Sequence, residues 1–108
     1  MAAHARRDAP HEVAGGPLER SVAEERARTL RAVADPTRLQ LLSMIAGSPA
    51  GEATIGDLAV ALGLSQPTVT HHVRIMSDDG LLVRQSRGKY VWLSIAPDRR
   101  DGILDLLR

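Results

Sequence analysis

Apolar residues recur at helical spacing along most of the chain, and capping residues divide that pattern into separate helices. Between residues 18 and 33 the apolar positions return every three or four residues, which predicts a first helix. Asp35 and Pro36 form a helix start, so a second helix is predicted over residues 37–46. Its inward positions are Leu39, Leu42 and Ile45. Residues 48–53 are predicted to form a loop.

The next two helices form a pair joined by a tight turn. Residues 54–62 predict a short helix that Thr54 caps. After Gly63 the chain leads directly into another helix over residues 65–76, with Ser65 as its N-cap. A helix, a short turn containing glycine and a second helix are together the pattern of a helix-turn-helix.

The helix over residues 65–76 has two different faces. At about 100° per residue, Val69, Val73 and Met76 fall on one apolar stripe, and His72 beside it is expected to form a hydrogen bond at the core margin. The opposite face carries donors and no carboxylate, as a base-reading helix requires. A solvated face that happens to lack acids is the alternative interpretation. The residues predicted to contact DNA are Ser65, Gln66, Thr68, Thr70, His71 and Arg74.

Two strand candidates follow this helix. Residues 81–85 and 89–95 are rich in β-branched and aromatic side chains, and residues 86–88 are predicted to turn between them. The hairpin is basic, and a basic hairpin directly after a recognition helix is a wing that touches the phosphate backbone beside the groove. Arg87 and Lys89 are its predicted phosphate contacts.

These elements predict a mainly α fold with a β-hairpin wing, an α+β winged helix-turn-helix over residues 18–108. Residues 1–17 mix glycine, alanine, proline and both charges without periodicity, and are predicted to form a mobile arm. A last short helix over residues 97–107 is too apolar to be exposed to solvent, and small residues on the first helix would let a partner helix approach it closely. The first and the last helix are each predicted to pack either on a second subunit or within their own domain. The predicted dimerisation residues are Val22, Ala27, Leu30, Ile103, Leu104 and Leu107.

The composition of the chain limits the cellular compartments and the functions that can be expected. With 108 residues and 44% hydrophobic content, the chain suits one small domain or an obligate dimer. It has no apolar run long enough to span a bilayer and no signal-peptide pattern, so a cytoplasmic protein is predicted. Cysteine is absent, which excludes disulfides and thiolate metal sites. The net charge of +1 does not indicate DNA binding, but a local excess of cations between residues 65 and 94 allows it.

Several segments resemble the ArsR/SmtB family of repressors. Residues 34–42 are similar to the family signature A-D-P-T-R-x-x-I-L, and residues 57–65 match its D-L-A-x-x-L-G-L-S without a break. Residues 65–76 resemble the family's S-x-x-x-V-S-x-H-L-x-x-L, and residues 87–89 resemble its wing. The resemblance implies a homodimeric winged helix-turn-helix that binds an operator and is usually released by an inducer, often a metal ion.

The metal sites that this resemblance implies are missing or incomplete in the sequence. Aligned on Asp57, the two cysteine positions of the family's C-x-C-D-L motif hold Thr54 and Gly56. Other members place carboxylate and histidine ligands on the last helix, where this chain has aspartates but no histidine.

Two histidines near the start of the chain are the remaining candidate metal ligands. If Met1 is removed, the amine of Ala2, two backbone amides and the imidazole of His4 could form a square-planar set suited to Ni(II) or Cu(II). His11 could add a further ligand. Accidental histidines in a disordered arm are the alternative.

The sequence therefore predicts a sequence-specific DNA-binding regulator of the repressor type that acts as a homodimer on a palindromic operator. The resemblance allows a metal-responsive repressor, but the sequence does not identify the inducer. No set of nucleophile, base and oxyanion donors is evident, so an enzyme is not predicted. The alternative function is a winged-helix protein-interaction module that does not bind DNA. Salt-dependent DNA binding would distinguish the two.

Overall fold

The computed structural model describes residues 15–108, which form five helices and a three-stranded sheet. His4 and His11, and with them the proposed nickel or copper site, lie outside the described residues. The elements are α1 (Arg20–Val33), α2 (Pro36–Gly47), β1 (Glu52–Thr54), α3 (Ile55–Leu62), α4 (Gln66–Asp78), β2 (Leu82–Arg87), β3 (Tyr90–Ile95) and α5 (Arg100–Leu106). Short 3-10 turns occupy Pro49–Gly51 and Pro97–Arg99.

Three of the helices begin at the side chains that the sequence predicts as caps. The Asp35 carboxylate accepts a hydrogen bond from the backbone N–H of Arg38 at 3.1 Å, which fixes the start of α2. At the start of α3 the Thr54 hydroxyl accepts the backbone N–H of Asp57 at 3.1 Å, and at the start of α4 the Ser65 hydroxyl accepts that of Thr68 at 3.2 Å. Gly63 ends α3 in the left-handed conformation, with φ of 66°, so the chain can turn at once into α4.

The core is aliphatic. The buried apolar side chains of the described residues are alanine, valine, leucine, isoleucine and one methionine, and the single tryptophan and tyrosine lie on the wing instead. Side chains from α2, α3, α4 and the sheet converge there. The completely inaccessible ones include Leu41, Leu42, Ile45, Val69, Val73, Met76, Leu81 and Leu93. This core determines which face of each helix points outward.

The sheet contains a strand that the sequence does not predict. Residues 52–54, at the end of the expected loop, form β1 and pair antiparallel with β3, giving the strand order β1-β3-β2. The loop prediction is wrong here because three residues carry too little alternation to indicate a strand. Their pairing depends on β3, which lies some forty residues further along the chain.

The hairpin turn also differs from its prediction. Arg87 pairs with Tyr90, so the turn consists of Gly88 and Lys89, and the predicted turn over residues 86–88 is wrong. Gly88 has φ of 59°, which suits the first central position of a type II′ turn. Because the strands extend closer to the tip, Arg87 belongs to β2 rather than to the turn.

The end of the chain returns to the first helix. Arg99 donates to Glu25 at 3.1 Å and to the Thr29 hydroxyl, and Ile103 on α5 is buried in the core. Between α1 and α5 lies an open groove of about 590 Å³. Within residues 15–108 no helix is both long and apolar enough to cross a membrane.

Candidate nucleic-acid interface

The outward face of α4 is the first part of the candidate interface. Its opposite side is held by Val69, Val73 and Met76, which are completely inaccessible to solvent. Because this stripe fixes the rotation of the helix, the donor-rich side must point away from the core. The predicted contact residues lie on that side: Ser65, Gln66, Thr68, His71 and Arg74 are exposed, and Thr70 is half-buried.

Arg74 and Ser65 have different local roles on this face. Arg74 forms no ion pair with any residue in the described range 15–108, so its guanidinium is available to a base edge or a phosphate. The Ser65 hydroxyl accepts the N–H of Thr68 and also forms a hydrogen bond with the Thr68 hydroxyl at 2.9 Å. Ser65 therefore shapes the first turn of α4 before it can meet DNA.

The position of α4 is also fixed by a contact that sequence reasoning missed. The Arg38 side chain donates from Nε to Nδ1 of His72 at 3.2 Å and from Nη1 to the carbonyl oxygen of Ala32 at 3.2 Å. This confirms the expectation that His72 forms a hydrogen bond at the core margin. Arg38 lies in the A-D-P-T-R segment, but nothing in that local pattern indicates a partner 34 residues away.

The wing is the second part of the interface, and its cations differ in their surroundings. Arg84 pairs with Leu93 on the face of the sheet that continues the core, yet its side chain is exposed, whereas Arg87 pairs with Tyr90 on the opposite face. Lys89 extends from the turn, with its ammonium 5.5 Å from the Tyr90 ring. Neither Arg84 nor Lys89 forms an ion pair within the part of the chain that the structure describes.

Arg87, by contrast, forms an ion pair with Glu52. Its Nη1 and Nη2 donate to the two carboxylate oxygens of Glu52 at 2.9 Å and 2.7 Å, and its guanidinium lies 5.3 Å from the Trp92 ring centroid. This pairing lowers the pKa of Glu52 and raises the pKa of Arg87, mainly through their mutual hydrogen bonds. The prediction that Arg87 contacts phosphate did not foresee this partner.

Comparison with known proteins identifies the fold and the class of protein. The family described as bacterial regulatory protein, arsR family, matches residues 35–83. The HTH-type transcriptional regulator NmtR of Mycobacterium tuberculosis is 33% identical over 89 residues, which are 82% of this chain and 72% of that protein. The chain belongs to the arsR family.

Solved structures agree with this assignment. HlyU from Vibrio cholerae is similar with a TM-score of 0.72 at 27% identity, over 83% of this chain and 94% of that one. The transcriptional repressor PagR of Bacillus anthracis is similar with a TM-score of 0.71 at 27% identity, over 83% of this chain and all of that one. The protein is therefore a winged helix-turn-helix transcriptional regulator of a DNA-binding family, and not an enzyme.

The thiolate metal site implied by the arsR resemblance does not fit the residues present. The Thr54 hydroxyl accepts the N–H of Asp57 as a helix cap, and Gly56 offers no side-chain donor. Within residues 15–108, no group of three or more histidine, aspartate or glutamate side chains could hold a metal ion.

The residues predicted for dimerisation divide between the surface and the core. Leu30 is 53% exposed, whereas Ile103 is 1% exposed and packs within its own chain, so its side chain is not available to a partner. Val22, Ala27, Leu104 and Leu107 are half-buried. Leu106 belongs to the last helix, whose apolar residues the sequence predicts to pack on the first helix or on a second subunit. It is 45% exposed and lines the groove between α1 and α5.

Proposed function

We propose that this arsR-family chain represses transcription as a homodimer on a palindromic operator in double-stranded DNA. The observation that carries the proposal is the outward face of α4, which exposes donors and Arg74 while its other side is completely buried. On this proposal α4 lies in the major groove and presents its outward face, from Ser65 to Arg74, to base edges and phosphates.

The homodimer is supported by the apolar surface around the groove between α1 and α5. Leu30 and Leu106 are both about half exposed and line the same groove, and exposed apolar side chains that cluster in this way are a feature of protein–protein contact sites. A two-fold axis through this face would present two copies of α4. Recognition helices about 34–36 Å apart reach successive major grooves on one side of B-DNA, so the operator should be palindromic. Action on chromosomal DNA would place the protein in the cytoplasm.

The experiment is a binding measurement with footprinted DNA from upstream of the protein's own gene. Arg74→Ala should weaken binding to that operator by about 1–3 kcal/mol if Arg74 reads a base, and weaken binding to unrelated DNA much less. Arg20→Ala is the matched control, because it removes the same charge from a side chain that is 91% exposed on α1.

The outcomes separate the roles that the proposal assigns. Equal losses on operator and unrelated DNA would reduce Arg74 to a phosphate contact. Unchanged binding to both would remove it from the interface. A wild-type chain without salt-dependent DNA binding would contradict the proposal and favour a protein-interaction module.

A further inference from the structure

We infer that Arg87 is a positioning residue that fixes the wing against the helix-turn-helix by holding Glu52, rather than a phosphate contact. The inference rests on the proposed function, because it concerns how the wing meets operator DNA. It reassigns a residue that the sequence places among the phosphate contacts. Lys89 and Arg84 then supply the wing's charge to the DNA.

The first argument is the number of contacts that the Arg87 guanidinium already makes. Besides the two hydrogen bonds to Glu52, Arg87 donates to the side-chain amide oxygen Oε1 of Gln85 from Nη2 at 2.7 Å and from Nε at 3.3 Å. The guanidinium carbon lies 5.3 Å from the Trp92 ring centroid, within the range of a cation–π contact. Four hydrogen bonds use all but one of the five guanidinium N–H groups, so a bidentate contact with a phosphate would require breaking at least one of them.

The second argument is where the contact lies in the sheet. Arg87 pairs with Tyr90 near the tip of the hairpin, whereas Glu52 pairs with Ser94 near its base. The ion pair therefore runs diagonally across β3, over Trp92, and joins the outer strand β2 to β1. Because β1 continues directly into α3, the contact connects the wing tip to the entrance of the helix-turn-helix.

The third argument is electrostatic. An exposed ion pair usually contributes little, but a bidentate arginine in a network with limited exposure is the exception. The Glu52 side chain is only 22% exposed and that of Arg87 is 43% exposed. If a phosphate took Arg87 away, the Glu52 carboxylate would be left unpaired beside a polyanion. The paired state avoids that repulsion, and the unpaired cations Arg84 and Lys89 are better placed to attract DNA.

The test uses the full-length protein and its footprinted operator. It asks whether Glu52→Gln weakens or tightens operator binding. If Arg87 positions the wing, Glu52→Gln should weaken operator binding by up to about fivefold, the effect of losing one well-made surface ion pair. If Arg87 contacts phosphate, the same substitution frees the cation and removes a nearby negative charge, so binding should tighten. Tighter binding would overturn the inference.

Arginine variants give a second, independent discrimination. Arg87→Lys keeps the charge but cannot make the bidentate contact, so it should bind as weakly as Arg87→Gln. The slope of log affinity against log salt should stay at the wild-type value in both variants. Lys89→Gln is the matched control two residues away, and it should reduce that slope by about one unit per lost contact. Rescue by lysine, or a reduced slope in Arg87→Gln, would overturn the positioning role.

Tryptophan fluorescence of the DNA-free protein can show whether a substitution has changed the contact between Arg87 and Trp92. Trp92 is the only tryptophan, so its emission reports on the cation above it. Arg87→Gln removes this cation and Glu52→Gln removes its carboxylate partner, so both should shift that emission in the same direction, with helical content intact by circular dichroism. No shift in Glu52→Gln, or a shift in the opposite direction, would overturn the inference. Wild-type protein that binds no DNA would overturn the proposed function, whereas wild-type binding with a tighter Glu52→Gln variant would overturn only this role of Arg87.

Discussion

His71 and His72 are neighbours on α4 whose side chains meet different surroundings. Their rings are 5.7 Å apart and edge to face, but His71 is exposed on the outward face of α4. His72 is half-buried and accepts a hydrogen bond from Arg38, which in turn donates to Ala32 near the end of α1. A single side chain on α2 thus links the recognition helix to the helix proposed for dimerisation.

The first prediction concerns this link. His72→Ala removes the acceptor and leaves the part-buried Nε of Arg38 without its partner, so the free energy of unfolding should fall by about 1–2 kcal/mol. His71→Ala, the control, should change stability by less than about 0.5 kcal/mol because that ring is exposed. Urea unfolding at one protein concentration measures both. Equal effects in the two variants would show that the Arg38 contact does not stabilise α4.

At the scale of elements, the contacts that lie close in sequence are the ones that sequence reasoning captured. Asp35, Thr54 and Ser65 each cap a helix through a backbone N–H three residues on, so the cap and its partner share one window of sequence. The apolar stripe of α4 is local in the same way, and it correctly gave the outward face of the candidate site.

The missed features depend on partners that are distant in sequence. β1 is a strand only because β3 pairs with it, and Arg87 is engaged only because Glu52, 35 residues away, reaches it across Trp92. Local hydrophobic patterns carry no information about such pairs. The fold could therefore be predicted in outline, whereas the way the wing is attached to the body could not.

The second prediction concerns the cap of α2. The Asp35 carboxylate accepts the N–H of Arg38, and this hydrogen bond, with smaller effects of nearby cations, lowers its pKa below the ordinary 3.8. A lowered folded-state pKa means that the stabilisation is complete above the unfolded value and is lost as pH falls through the folded one. Asp35→Asn cannot ionise, so its stability deficit at neutral pH should shrink steadily as the pH falls below about 4.

The control for this prediction is a cap without an ionisable group. Ser65→Ala removes a hydroxyl acceptor from α4, so its stability deficit should stay constant over the same pH range. Urea unfolding of both variants between pH 7 and pH 3 makes the comparison. A constant deficit for Asp35→Asn would mean that the charge of Asp35 contributes nothing to the cap.

At the scale of the whole molecule, the two ends of the described chain meet. Arg99 contacts Glu25 and Thr29 on α1, which brings α5 alongside the first helix and leaves Leu30 and Leu106 at the rim of the groove. The faces that hold these leucines are apolar, and they lie on elements other than α4 and the wing. Dimerisation there would leave the surfaces proposed to contact DNA uncovered.

The third prediction tests the dimer. Leu30→Glu places a charge on the proposed interface, so the dimer dissociation constant should rise by at least about thirtyfold, or about 2 kcal/mol. Operator affinity should fall with it, while helical content is kept. Val60→Glu is the control, because Val60 on α3 is 83% exposed and lies on a different element from that face. Sedimentation at micromolar concentration measures both, and a dimer unaffected by Leu30→Glu would place the interface elsewhere.

The burial of Met76 protects the sulfur of α4 from oxidants as long as the protein stays folded. The chain has no cysteine, so methionine is its main oxidisable sulfur, and the two methionines in the described range differ in access. Met44 is half-exposed at the wall of a surface cavity, whereas Met76 on α4 is completely buried against the core. Peroxide can therefore reach Met76 only in molecules that have transiently opened. A polar sulfoxide could not repack beside Val69 and Val73, so oxidation of Met76 would disrupt the packing of α4 in that subunit. The rate of this inactivation would be limited by the rate at which the fold opens.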